Sequence, residues 1–135
     1  MIGWIQGKII DKWNNNNRQG LLLETSGIGF EVNLLKRSLL GLELNNLLTL
    51  WVHQINKDDG INLYGFKSKQ ERDVFRLLIS VNSVGPKSAM SLLEENESIS
   101  IIKAILQKDI KTMSKAQGIG EKTAQRIMIE LTGKI

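Results

Sequence analysis

Apolar and polar positions alternate at the start of the chain: Ile2, Trp4, Gln6, Lys8 and Ile10 fall on one side of an extended segment, and Ile5, Gly7 and Ile9 on the other. A turn-like stretch from Asn14 to Arg18 precedes Leu21-Leu22-Leu23. Ser26-Gly27-Ile28-Gly29 then turns the chain into Phe30-Glu31-Val32-Asn33-Leu34, which reads as a hairpin. A further apolar run, Leu47 to Ile55, is followed by Lys57-Asp58-Asp59-Gly60 and by Ile61 to Phe66; Asp-Gly between two apolar runs is again hairpin chemistry. Four or five short, glycine-rich strands predict a small barrel of the OB type, interrupted by a brief helix around Lys36–Leu42. Trp4, Phe30 and Trp51 are expected to fill its core.

From Ser68 onward the period changes. Val74, Leu77, Leu78 and Val81 keep the spacing of an amphipathic helix, and Leu92-Leu93, Ile101-Ile102, Ile105-Leu106, Ile127 and Leu131 continue it in short segments. Pro86 sits where a proline opens a helix at its first turn. The fold class is therefore α+β, with a β-barrel over 1–66 followed by an all-α domain over 67–135.

The helical half contains a repeat at an offset of 35 residues. Ser83-Val84-Gly85-Pro86-Lys87-Ser88-Ala89 aligns with Gly118-Ile119-Gly120-Glu121-Lys122-Thr123-Ala124; the second glycine, the lysine and the alanine are identical. Each copy lies between two apolar helical stretches, giving helix, tight turn, helix, twice. Glycine lets a backbone approach a ligand closely. The turn feeds a helix N-terminus, whose unpaired N–H groups and positive dipole end favour an anion. Val84 and Ile119 can anchor each hairpin in the core, and Lys87 and Lys122 can add charge against the same phosphate. The expected backbone-binding set is Ser83, Val84, Gly85, Lys87, Ser88, Gly118, Ile119, Gly120, Lys122 and Thr123. Such contacts position DNA without reading its sequence.

Composition and charge agree with that reading. The chain has 135 residues, a net charge of +4 and no cysteine, and residues 67–135 carry twelve basic against eight acidic side chains. A basic excess confined to one half favours a polyanionic partner. The absence of cysteine removes disulfides and thiolate metal sites, and the single His53 leaves no histidine-based metal site or triad, so no cofactor and no metal are expected. Neither a signal peptide nor a run of about 18 apolar residues occurs, so a cytoplasmic address with no membrane association is expected.

Other loops compete with this assignment and fit less well. A Walker A loop ending at Lys122 requires glycine where Ala116 and Glu121 stand, and a dinucleotide fingerprint requires a third glycine where Thr123 stands. The offset is close to the tetratricopeptide period, but that repeat's Trp, Tyr and Pro signature is missing.

The whole chain resembles the RuvA family, which binds Holliday junctions. The resemblance is carried by Met1-Ile2-Gly3, Gly27-Ile28-Gly29-Phe30-Glu31-Val32, Leu63-Tyr64-Gly65-Phe66, Gln70-Glu71-Arg72, Asn82-Ser83-Val84-Gly85-Pro86-Lys87 and Gly118 to Ala124. It implies an OB barrel that assembles as a homotetramer or octamer, and two helix-hairpin-helix motifs that lie on the backbone of each junction arm. It also implies a bacterial, cytoplasmic DNA-repair and recombination role, with the RuvB ATPase motor and a RuvC-type resolvase as partners. Asp58 and Asp59 match the family's acidic pair at the junction centre; from composition alone they read as a solvated turn. The family carries a third, RuvB-binding domain after the second motif, so the sequence ending at Ile135 reads as the first two domains.

Three residues depart from the family pattern. Ser83 replaces the usual first hairpin glycine, which implies either looser binding or a strained turn. Gln117 and Glu121 stand where proline and a basic residue are common, which implies a weaker second motif. Competing functions stay open: a general duplex-binding module, a single-strand binder that stacks bases on barrel aromatics, and a helix-hairpin-helix glycosylase or nuclease. The last requires a catalytic Lys or Asp in a base pocket, or clustered carboxylates. Asp58-Asp59 and Glu94-Glu95 have no companion ligand set.

Overall fold

In the computed structural model, which describes residues 1–135, the opening alternation resolves in favour of Ile5, Gly7 and Ile9. All three are buried along β1 (Trp4–Asn14), while Trp4, Gln6, Lys8 and Ile10 face out. β2 (Gln19–Thr25) and β3 (Ile28–Leu34) bury Leu21, Leu23, Val32 and Leu34 by the same alternation. β4 (Leu47–Lys57) and β5 (Gly60–Phe66) add Leu50, Val52 and Leu63 to one aliphatic core. Neighbouring strands run antiparallel except β3 and β5, whose parallel pairing at Val32–Leu63 closes the barrel in the order β1-β2-β3-β5-β4.

β1 serves two neighbours. It pairs with β4 from Trp4 to Lys8 and with β2 from Lys8 to Asn14, with a register shift between Ile9 and Asp11. An irregularity of this kind bends a strand and increases its twist, which a small barrel needs at its corners.

Several sequence expectations change. Ser26 and Gly27 alone make the β2–β3 turn, both at positive φ (52° and 85°), whose twist matches that of the flanking strands; Ile28 and Gly29 already belong to β3. The short helix α1 (Lys36–Leu39) ends before Leu42, because Leu40 turns extended at ψ 130°. The tryptophans do not fill the core. Trp4 has the outward parity of β1 and is 50% exposed. Trp51 lies beside it in register and is only part-buried, and Phe30 packs against the edge of the core.

Trp51 is covered from one side by Arg72, whose guanidinium carbon stands 5.0 Å from the ring centroid. Arg72 is buried and donates Nη1 to the Gly3 carbonyl at 2.9 Å, while its neighbour Glu71 accepts from Arg37 at 2.9 Å. Both belong to the start of α2 (Lys69–Ile79), where the Ser68 hydroxyl oxygen accepts the Glu71 amide at 3.1 Å, a side-chain cap on a free N–H. The chain divides within this helix into two compact units, Met1–Arg72 and Asp73–Ile135.

The second unit is all helix. α3 (Pro86–Glu95), α4 (Ser98–Leu106), α5 (Ile110–Ser114) and α6 (Glu121–Leu131) follow α2, and a single 3-10 turn, Thr132–Lys134, comes last. Phe75, Leu78, Leu92, Leu93, Ile101, Ile105, Met113, Ile127 and Leu131 make its core. α4 stops where Lys108 takes φ 55°, and α5 restarts under an Asp109 cap. The architecture is α+β: an OB-type barrel followed by an all-α tandem of helix-hairpin-helix units.

Candidate nucleic-acid interface

The two copies of the repeat fold alike, bond for bond. In the first, the Val81 amide donates to the Leu78 carbonyl at 3.2 Å, the Val84 amide to Val81 at 2.9 Å and the Ala89 amide to Gly85 at 3.0 Å. In the second, Ala116 donates to Met113 at 3.5 Å, Ile119 to Ala116 at 3.1 Å and Ala124 to Gly120 at 2.9 Å. Gly85 and Gly120 occupy the helix N-cap with nearly the same backbone, φ −92° and ψ 176° against φ −82° and ψ 177°. Val84 and Ile119 are buried, as are Ala89 and Ala124 one turn into each helix. The sequence repeat thus reflects one three-dimensional device made twice.

Because Val84 and Ile119 spend their amides inside the turn, their part in the hairpin is anchorage. The amides without an intrahelical acceptor are those of the first helical turn. In α3 these belong to Lys87 and Ser88, since Pro86 at the first position has no N–H. In α6 they belong to Glu121, Lys122 and Thr123. A Cβ added at Gly85 or at Gly120 would meet no atom within 4 Å, so the approach to each helix start is open. Lys87 and Lys122 are exposed beside it. The arrangement presents backbone donors, a dipole end and a cation to one side of each turn, which is suited to an oxyanion.

The hairpins differ at their first residue. Gly118 takes φ +86°, a region where L side chains are strained, whereas Ser83 does not have positive φ. The expected strain at Ser83 is therefore absent: that turn closes without a left-handed residue. Ser88 is part-buried, and its hydroxyl lies 3.4 Å from the Gly118 carbonyl, a contact between the two hairpins. Thr123, its counterpart, is part-buried, and Gln117 and Glu121 are exposed.

In the barrel unit, Asp58 and Asp59 form the two-residue tip between β4 and β5, where Lys57 pairs with Gly60. Both carboxylates are exposed, and Gly60 completes the turn at φ +143°. Sequence reasoning did not single out a second feature of this unit, a cleft lined by Trp13, Asn15, Arg18 and Glu31. Its signal was an aromatic residue leading an asparagine run that ends in arginine. No group of three or more histidine or acidic side chains gathers anywhere, and no helix is long and apolar enough to cross a membrane.

Comparison with known proteins follows the same division. Residues 1–65 match the model of the RuvA N terminal domain, and residues 75–132 match that of the SAM-like helix-hairpin-helix tandem. Three relatives carry the name Holliday junction branch migration complex subunit RuvA. One from Prochlorococcus marinus (strain MIT 9211) is 45% identical over 135 residues, covering 100% of this chain and 60% of the relative. One from Synechococcus sp. (strain CC9311) is 42% identical, covering 100% and 62%. One from Synechococcus sp. (strain WH7803) is 44% identical, covering 100% and 63%. The chain thus spans about three fifths of the length of these relatives. With a barrel and a helical tandem matched in the same order, and identity sustained from the first residue to the last, the chain belongs to the RuvA family.

Proposed function

We propose that this chain holds four-way (Holliday) junction DNA by its backbone, without reading sequence and without catalysis of its own. The matched pair of open helix starts carries the reading: two copies of one anion-binding turn, each with an exposed lysine, suit two phosphates of a DNA backbone. Nearly all contacts in such a grip are electrostatic and sequence-independent. The names of the relatives support the junction as the ligand. In a branch migration complex of the kind they are named for, this chain supplies the grip and a RuvB-type motor supplies the movement. The bound form needs no cofactor.

The barrel unit adds selection to the grip. Asp58 and Asp59 at an exposed tip repel phosphates, which suits the open centre of a junction better than an unbroken duplex. A symmetric four-armed ligand is matched by a fourfold assembly, so the active species is read as a homotetramer, or two of them face to face.

Affinity for four-way, duplex and single-stranded DNA, measured at one fixed salt concentration, tests the reading. Tightest binding to the four-way junction, independent of its arm sequences, is expected. Equal affinity for junction and duplex would overturn it. Light scattering is expected to give four chain masses, or eight on junction DNA, and a strict monomer under both conditions would contradict the assembly.

A further inference from the structure

A cleft of about 220 Å³ opens on the barrel's outer surface, between the β1–β2 loop and β3. Its lining is Trp13, Asn15, Arg18 and Glu31. Trp13 closes over Gly20, its register partner on β2; a Cβ at Gly20 would come within 2.9 Å of indole Cζ2. The ring is held in place by this close approach while remaining part-exposed. Arg18 and Asn15 are exposed on the loop, and Glu31 is exposed on β3. Tyr64, on the same cross-strand row as Trp13 and Gly20, has its hydroxyl pKa raised by burial, with the Arg18 charge pulling it the other way. The arginine's field therefore reaches across the face to β5.

An aromatic ring, a cation, an amide and a carboxylate thus line one open cleft with room for a base. We infer that this cleft is a subsite for an unpaired guanine of single-stranded DNA. The indole offers a stacking face, which every base can use. The Glu31 carboxylate accepts hydrogen bonds and donates none. Guanine is the base whose Watson–Crick edge presents two adjacent donors, N1–H and the N2 amino group, to such an acceptor. Thymine presents one donor flanked by two carbonyls, which a carboxylate repels. Arg18 then faces the phosphate or the guanine O6, and Asn15 serves either edge. This rests on the nucleic-acid reading above, but uses none of the hairpin residues.

The test uses a thymidine pentamer with and without one central guanine, titrated against the chain and followed by tryptophan fluorescence. The guanine pentamer is expected to bind more tightly and to quench. Trp13→Ala is expected to weaken it by about 5- to 100-fold, the range of lost base stacking, and Trp13→Phe to retain most of the affinity. Glu31→Gln, at an exposed site, is expected to erase the preference for guanine, weakening the guanine pentamer and tightening the thymidine one as the repulsion is removed. A chain with Lys87→Ala and Lys122→Ala is expected to lose duplex affinity while binding the pentamer as before. Equal binding of the two pentamers, or an unchanged affinity in Trp13→Ala, would overturn the subsite. Loss of pentamer binding in the double lysine variant would also overturn it, since the hairpins would then account for all binding.

Discussion

The Ser88 hydroxyl lies 3.4 Å from the Gly118 carbonyl, so the helix that opens the first hairpin's phosphate side touches the turn of the second. At that distance the bond is weak, and the backbone of Gly118 matters more than the contact. A Cβ at Gly118 would approach Ser88 Oγ to 2.7 Å, which a hydroxyl can relieve by rotating, but φ +86° cannot be relieved. Gly118→Ala is therefore expected to lose about 1–3 kcal/mol in denaturant unfolding. Ser88→Ala in the same chain should not restore it. Ser83→Gly, which puts the family's usual residue into the first hairpin, is expected to destabilise by up to about 1 kcal/mol, because Ser83 has no left-handed strain to release. A stabilising Ser83→Gly would show that the first turn is strained after all.

Lys87 and Lys122 stand at the same place on two copies of one turn, and each is exposed. Lys87→Ala and Lys122→Ala are each expected to weaken DNA binding without altering sequence preference. Each should reduce the slope of log affinity against log salt by about 1, the signature of one fewer phosphate neutralised. The first hairpin lacks an amide at Pro86, while the second has Glu121 at the same position. Glu121→Gln is accordingly expected to strengthen binding, since a carboxylate at the helix start opposes the phosphate. Two unchanged slopes would remove the phosphate-clamp role from the lysines.

Local patterns in the sequence carried much of this fold, and the parts they missed have a common cause. The period of two separated the two sides of β1 without saying which faces inward, and the offset repeat gave both hairpins with their buried Val84 and Ile119. Positions decided by distant partners were not legible. Nothing local marks the parallel pairing of Val32 with Leu63 that closes the barrel. Trp4, Phe30 and Trp51 are expected in the core, but parity on the strand sends Trp4 outward. The offset repeat pairs Ser88 with Thr123, but nothing local marks the contact of its hydroxyl with the Gly118 carbonyl, 30 positions away.

Arg72 is another such case. It read as a polar residue in a helix start, yet it is buried against Trp51 and donates to Gly3. Arg72→Met keeps the length of the side chain and removes the charge, the donor and the cation–π contact. Unfolding is expected to be easier by about 2 kcal/mol, because the cation–π contact and a charged hydrogen bond are lost, while the Gly3 carbonyl keeps the Val52 amide at 2.9 Å. Arg72→Lys should fall between, because one ammonium cannot both lie over the ring and fork to the carbonyl. Wild-type stability in Arg72→Met would make the contact incidental.

Asp109 caps α5 by accepting the Thr112 hydroxyl at 2.6 Å and its amide at 3.1 Å. Those two hydrogen bonds, the side-chain one first, hold its carboxyl below the ordinary value of 3.8, with Lys115 and Lys111 adding to the effect. A lowered folded pKa means that the stabilisation is complete well above 3.8 and is lost as pH falls through the folded value. Asp109→Asn keeps a good cap and is expected to remove this portion of the acid dependence, whereas Asp109→Ala should lower Tm by a few degrees at pH 7. Identical acid limbs in Asp109→Asn and wild type would refute the link.

The acidic tip sets the hardest test, because its charge opposes the ligand. A DNA-binding surface gains affinity from Lys and Arg, so exposed Asp58 and Asp59 at the β4–β5 turn should weaken binding wherever a phosphate must pass them. Two like charges at about 4 Å repel by about 1 kcal/mol in bulk water and by several times that in a lower dielectric. A fourfold assembly would gather four such tips at its centre and multiply the repulsion. An unbroken duplex lying across that centre must place phosphates against it, while an open junction has a gap at its crossover and avoids the clash. Asp58→Asn with Asp59→Asn is therefore expected to tighten binding to plain duplex more than to a four-way junction, narrowing the ratio between them. Asparagine suits the same turn, so stability should change little and the two affinities can be compared directly. The comparison belongs at one fixed salt concentration, since screening alone would shrink the difference. If the junction-to-duplex ratio is the same in both proteins, Asp58 and Asp59 are turn residues only, and selection for the junction lies in the arrangement of the hairpins.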